Sequence, residues 1–215
     1  MTRILQIADS MKLSPTKPQP EPKAHPVRSE PSSSQASLIS DIEGIRRRVS
    51  EEIDKGPLTP NYQGDVEKAC VILNEALATE IVCTLRYTSH ALLASGLQSH
   101  DVAQEFEEHA REEQRHALQI AERISQLGGV PNLNPDSVTR RSHAEFGTAR
   151  DLIGMIREDL IAERIAVETY RDIVRYFSDQ DPVSRRLMEE VLAKEEEHAD
   201  DLTRLLTRLQ PARSA

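Results

Sequence analysis

Tryptophan is absent from this sequence, which holds only three phenylalanines and four tyrosines. Its interior must therefore be assembled from Leu, Ile, Val and Ala, which favours packed helices over a sandwich or a barrel. Cysteine is nearly absent too. With only Cys70 and Cys83 there is no disulfide framework. The two fall on one predicted helix about 20 Å apart, beyond the reach of a bridge. A reducing, cytoplasmic setting is expected. No apolar run is long enough to span a bilayer. The apolar stretch within MTRILQIADS is too short for a secretory signal, so no membrane partner is expected. Excess positive charge is also lacking: the net charge is −9. That balance argues against a general nucleic-acid surface, so nucleic acid is not an expected partner, and it suits the attraction of cations.

The 215 residues divide by composition. Residues 14–36, SPTKPQPEPKAHPVRSEPSSSQA, are rich in Pro and Ser and nearly free of apolar side chains, so they read as an extended, disordered linker. Residues 1–38 thus form a tail. Its first segment, Met1 to Leu13, is short and apolar-basic. The plainer reading is a tail without a role; the alternative is a docking peptide for a partner shell or scaffold. Residues 39–60 hold a short accessory helix, about 39–55, opened by a Ser40/Glu43 capping box and stopped at Gly56-Pro57.

Residues 61–215 carry four long helical patterns. Helix A spans about 65–96 and ends near Gly96. Helix B spans about 101–127 and is stopped by Gly128-Gly129. Helix C spans about 148–178. Helix D starts at Asp181-Pro182, an N-cap followed by proline at the first helical position, and ends near Leu209. Short links make A–B and C–D antiparallel hairpins. The link from Gly129 to Gly147 can reach about 60 Å, against about 45 Å for a 30-residue helix. It can cross the length of a bundle and start C parallel to B. Two hairpins joined by a long B–C crossover make the expected fold all-α, a ferritin-like four-helix bundle with an N-terminal extension.

Polar residues interrupt each apolar stripe at helical spacing. Glu80 sits among Leu73, Leu77, Thr84, Tyr87 and Ala91. His109, Glu113 and His116 sit among Val102, Phe106, Ile120, Ile124 and Leu127. Glu163 lies between Ile156 and Val167, and Glu195 and His198 lie between Val191 and Leu202. Carboxylates in a core are costly unless paired or metal-bound. Two divalent ions would balance four glutamates, and two imidazoles would complete an oxygen-rich set that suits iron or manganese. Glu113-x-x-His116 and Glu195-x-x-His198 each bring two donors to one side of a helix. A repeat supports pairing them: Glu80 precedes Glu113 by 33 residues and Glu163 precedes Glu195 by 32, with Tyr87 and Tyr170 each seven residues after the lone glutamate.

These stretches resemble bacterioferritin and its relatives. LNEALATEIVCTLRY (73–87), EEQRHA (112–117), ERIAVETY (163–170) and KEEEHADDL (194–202) carry the likeness. It implies a ferroxidase centre that binds two iron ions per chain, with Mn or Zn as substitutes. Fe(II) is oxidised there by O2 or H2O2, and ferric mineral collects in a shell. Glu80, Glu113, His116, Glu163, Glu195 and His198 match the family's ligands. Tyr87 matches a tyrosine that can donate an electron. Haem-binding members carry Met after the first motif glutamate; Gln114 stands there, so haem is not expected. Few residues follow helix D, so a shell of 12 subunits, or a dimer, is weighed beside a cage of 24. Two other readings remain: a non-storage di-metal oxidase or peroxidase of rubrerythrin or manganese-catalase type, and a Dps-type DNA-protecting shell reached through Lys12, Lys17, Lys23 and Arg28.

Some residues are less sharply defined. His109 reads as a satisfied core histidine, or else a transient iron-entry ligand. Asp159 is either a solvated position or the orienting partner of a ligand. Cys83 reads as a small buried group, and Tyr170 as core.

Overall fold

The computed structural model describes residues 41–209. The tail, its docking peptide and basic residues, the Pro/Ser-rich linker and Ser40 of the expected capping box lie outside the described residues. Among those described, all regular structure is helical. In order these are α1 (Ile42–Glu51), a 3₁₀ turn (Ile53–Lys55), α2 (Val66–Gly96), α3 (His100–Gln126), α4 (Pro135–Arg141), α5 (Leu152–Phe177) and α6 (Pro182–Leu209). Helices A to D are α2, α3, α5 and α6.

Cross-helix contacts fix the directions. Along α2, Glu80 meets Tyr170 and Arg86 meets Asp159, so partner numbers fall on α5 as they rise on α2. On α3, Asp101 meets Arg208 and Arg123 meets Asp181. Thus α2 is antiparallel to α5 and α3 is antiparallel to α6. With antiparallel hairpins, α5 runs parallel to α3, as the long crossover requires.

The crossover is not a plain loop. Asn134 caps α4, its side chain accepting from the Asp136 amide at 3.0 Å, with proline in the first turn. Hydrogen bonds then tie the crossover along α2. The Asn132 amide donates to Asn74 Oδ1 at 2.7 Å, the His143 amide to Thr79 Oγ1 at 3.0 Å, and Arg86 Nη1 to the Glu145 carbonyl at 2.9 Å. Helix C starts at Leu152 rather than near 148. The Asp151 side chain accepts from the Gly154 amide as N-cap. Just before it, the Thr148 and Ala149 amides are held by the Glu158 carboxylate, which keeps those residues out of the helix.

Two apolar clusters fill the bundle. One contains Leu73, Leu77, Ile120, Ile124, Phe177, Met188 and Val191. The other contains Ala91, Val102, Phe106, Met155, Ile156, Leu202 and Leu205. On every long helix the gap between clusters falls where the acidic motifs lie. The fold thus places one polar layer at mid-bundle with dry packing on both sides.

Candidate metal centre

All six expected ligands are brought together. Glu80, Glu113, His116, Glu163, Glu195 and His198 are each no more than 2% exposed. Their donor atoms form two groups: Glu80, Glu113, His116 and Glu195, and Glu113, Glu163, Glu195 and His198. Within each group the donor atoms lie within 4.8 Å of one another. Glu113 and Glu195 belong to both groups. Each half therefore has one lone glutamate, one histidine and two shared carboxylates.

The imidazoles point inward. His116 Nδ1 lies 3.1 Å from Glu195 Oε1 and 3.3 Å from Glu80 Oε2. His198 Nδ1 lies 3.1 Å from Glu113 Oε1 and 3.4 Å from Glu195 Oε2. Yet both Nδ1 atoms, Glu80 Oε2, Glu113 Oε1, Glu163 Oε2 and both Glu195 oxygens have no hydrogen-bond partner. Buried polar atoms are normally satisfied. So many orphans facing one another is the arrangement that a pair of cations resolves.

Electrostatics agree. Burial pushes the Glu113 carboxyl well up, and Glu195, Glu80 and Glu163 add repulsion. Glu195 is pushed up in the same way, by burial and then by Glu80 and Glu163. For Glu80 burial also opposes the charge, but His116, Glu113 and the Tyr170 hydroxyl outweigh it and hold its carboxyl down. Without a cation, burial and mutual repulsion oppose the charge on Glu113 and Glu195.

The surroundings repeat with the same symmetry. The Tyr87 hydroxyl donates to Glu163 Oε1 and the Tyr170 hydroxyl donates to Glu80 Oε1. Each tyrosine reaches from its own helix to the lone glutamate of the other. Tyr170 is core, as expected, but it also makes this polar contact. His198 Nε2 donates to Glu112 Oε2 at 2.7 Å, which orients the ring. Burial opposes the Glu112 charge, but His198 and Arg115 hold its carboxyl down at about 2.

Two expectations, Asp159 and His109, need correction. Asp159 is neither solvated nor bonded to Glu163. It is fully buried, accepts from Arg86 Nε at 2.7 Å and meets His90 Nδ1 at 2.9 Å. Arg86 and His90 were missed by the stripe reading because they flank the stripe; the signal for them was an unpaired acidic residue inside α5. His109 is not a satisfied core histidine. It is buried, but its Nδ1 has no partner. Burial, and then His198, hold its imidazole down at about 3, so it is neutral. Cys83 is buried and free, as expected, with burial pushing its thiol well up. No helix among the described residues is long and apolar enough to cross a membrane.

Comparisons with known proteins follow this geometry. Residues 70–212 match the family model described as a ferritin-like domain. A "DNA protection during starvation protein" of Pyrococcus furiosus is 30% identical over 151 residues, covering 66% of this chain and 79% of that protein. A bacterioferritin of Mycobacterium bovis is 29% identical over 146 residues, covering 65% and 84%. Among solved structures, a dodecameric thioferritin, the bacterioferritin-related protein from Bacteroides fragilis, superposes with a TM-score of 0.64 at 35% identity. It covers 67% of this chain and 88% of that one.

Proposed function

The chain belongs to the ferritin-like family, and from that premise we propose that it is a non-haem ferroxidase that oxidises Fe(II) for iron storage or detoxification. The observation that carries this reading is the buried cluster of unpartnered donors, divided into two groups that share Glu113 and Glu195. The donor set is oxygen-rich with one imidazole per group, which fits iron. In this reading two ferrous ions are the substrate, and their oxidation passes electrons to O2 or H2O2.

The protein's own residues have distinct tasks. Glu80 with His116 and Glu163 with His198 would each hold one ion, and Glu113 and Glu195 would bridge them. Protons leave Glu113 and Glu195 as cations arrive, because their carboxyls are held up in the free protein. Tyr170 and Tyr87 fix the lone glutamates through their hydroxyls, and Tyr87 is the candidate electron donor. Glu112 fixes the His198 ring. The apolar clusters on both sides keep water from the layer.

Assembly as a homo-oligomer accompanies this reading, supported by the dodecameric state of the Bacteroides fragilis neighbour. A particle of about twelve times the 24.2 kDa chain mass is expected by light scattering. The test of function is aerobic addition of many Fe(II) equivalents, which should give a soluble ferric core. Uptake that stops at two or three irons per chain, with no ferric core, would leave a non-storage di-metal oxidase. DNA binding, suggested by the name of the Pyrococcus furiosus relative, is opposed by the net charge of −9.

A further inference from the structure

A third cluster lies beside the six-residue centre. Glu105 and His109 on α3 and Asp201 on α6 each offer one donor atom, and these atoms lie within 4.8 Å of one another. His109 is 2% exposed. Its Nδ1 has no hydrogen-bond partner. Its Nε2 faces Glu105 Oε1 at 3.6 Å and Asp201 Oδ2 at 3.9 Å, beyond hydrogen-bond reach. A buried imidazole nitrogen so placed loses its solvation with no hydrogen bond in return. Donor atoms about 2.0–2.2 Å from one ion stand roughly 3–4 Å from each other, which is the spacing seen here.

The cluster has one side toward solvent and one toward the centre. The Glu105 and Asp201 side chains are 35% and 25% exposed. They line a pocket of ≈ 260 Å³ together with Arg204, Leu205 and Arg208. Both arginines are engaged: Arg204 pairs with Asp200 and with Asp201 Oδ1, and Arg208 with Asp101. Asp201 Oδ2 and Glu105 Oε1 are left facing the imidazole. On the inner side the His109 ring stacks on His198, with centroids 4.1 Å apart. It also meets the Tyr87 ring edge-on at 5.1 Å.

We propose that Glu105, His109 and Asp201 form a mononuclear divalent-cation site, and that it docks Fe(II) on its way from solvent to the dinuclear centre. The docking role rests on the ferroxidase reading; the cation site does not. The ligand chemistry is two carboxylates and a neutral imidazole, which accept Fe(II), Mn(II) or Zn(II) alike.

Zn(II) alone is the probe, applied to the metal-stripped full-length protein in its native assembly. Bound metal is counted by equilibrium dialysis and mass spectrometry. Wild type should bind three Zn(II) per chain. The variant E105Q/D201N changes partly exposed side chains nearly isosterically, so it should fold. It should bind two, with the third weakened at least about tenfold, the scale on which supporting ligands act. His109→Asn should do the same. Identical stoichiometry and affinities in wild type and E105Q/D201N overturn the site. In E163Q the dinuclear centre should weaken while the third site persists. Unchanged binding in E163Q would count against the dinuclear centre alone. For docking, E105Q/D201N should need at least about tenfold more Fe(II) to reach half-maximal oxidation rate. Equal rates at every Fe(II) concentration would overturn the docking role.

Discussion

At the scale of single residues, what could be read from the sequence was the set of polar groups that break an apolar stripe. Glu80, Glu113, His116, Glu163, Glu195 and His198 announce themselves by being costly where they stand. Their partners do not, because a donor that satisfies a buried acid can come from any helix. Arg86 and Asp159 show this. Neither belongs to the Glu/His ligand motifs, yet they form an ion pair with side-chain exposures of 1% and 0%. Removing one partner leaves the other charge buried, so Asp159→Ala should destabilise the fold by about 3–5 kcal/mol in urea unfolding. The double variant R86M/D159L should lose less than the two single variants combined. The tyrosines allow a finer test. Because the Tyr87 and Tyr170 hydroxyls bond the lone glutamates reciprocally, Tyr87→Phe and Tyr170→Phe should weaken metal binding equally, by about tenfold. An additional role of Tyr87 as electron donor would appear as a slower oxidation rate in Tyr87→Phe alone at saturating Fe(II).

At the scale of elements, helix existence and order follow from the 3.6-residue pattern, while the ends depend on local hydrogen bonds that pattern does not encode. Helix B ends as its glycines predict: Gly128 takes φ 80, and the Gly129 and Gly128 amides bond the Ile124 and Ser125 carbonyls, each at 2.9 Å. Helix A makes the same closure without glycine at the key place. Gln98, not Gly96, has the left-handed backbone, with φ 60, while the Ser99 and Gln98 amides bond the Ala94 and Ser95 carbonyls. A side chain there is strained, and glycine is not. Gln98→Gly should therefore raise stability by up to about 1 kcal/mol, the relief of strain exceeding the extra freedom of the unfolded chain. A loss of thermal stability in this variant would contradict the assigned turn. The short α4 was missed for a related reason. Its signal, Asn134 followed by Pro135, is a single cap on a helix of 7 residues, too brief to show a periodicity.

At the scale of the whole molecule, each of the four long helices places at least one carboxylate in the same layer, so the state of that layer is felt by the entire bundle. Below the ordinary carboxyl value of 4.5, Glu113 and Glu195 are protonated in folded and unfolded chains alike, and their burial carries no charge penalty. Above it the unfolded chain releases protons that the folded chain retains, because both carboxyls are pushed up. Stability of the metal-free protein therefore falls as pH rises from 4.5 through the raised values. Glu112, held down at about 2, acts oppositely: its contribution is complete above 4.5 and is lost only as pH falls toward 2. Cations remove the penalty on the first pair and bind better as protons become scarce. With free Mn(II) at a hundred times the dissociation constant, each site should add about 2.7 kcal/mol, or on the order of 5–10 °C in melting temperature. At one fixed free Mn(II) concentration, the gap between loaded and metal-free protein should widen steadily from pH 5 to pH 8. Glu113→Gln should flatten the metal-free pH profile and stabilise it at neutral pH by on the order of 1 kcal/mol, while shrinking the shift produced by Mn(II). A gap that stays constant with pH, in wild type and variant alike, would mean that the buried carboxylates are not what the metal neutralises.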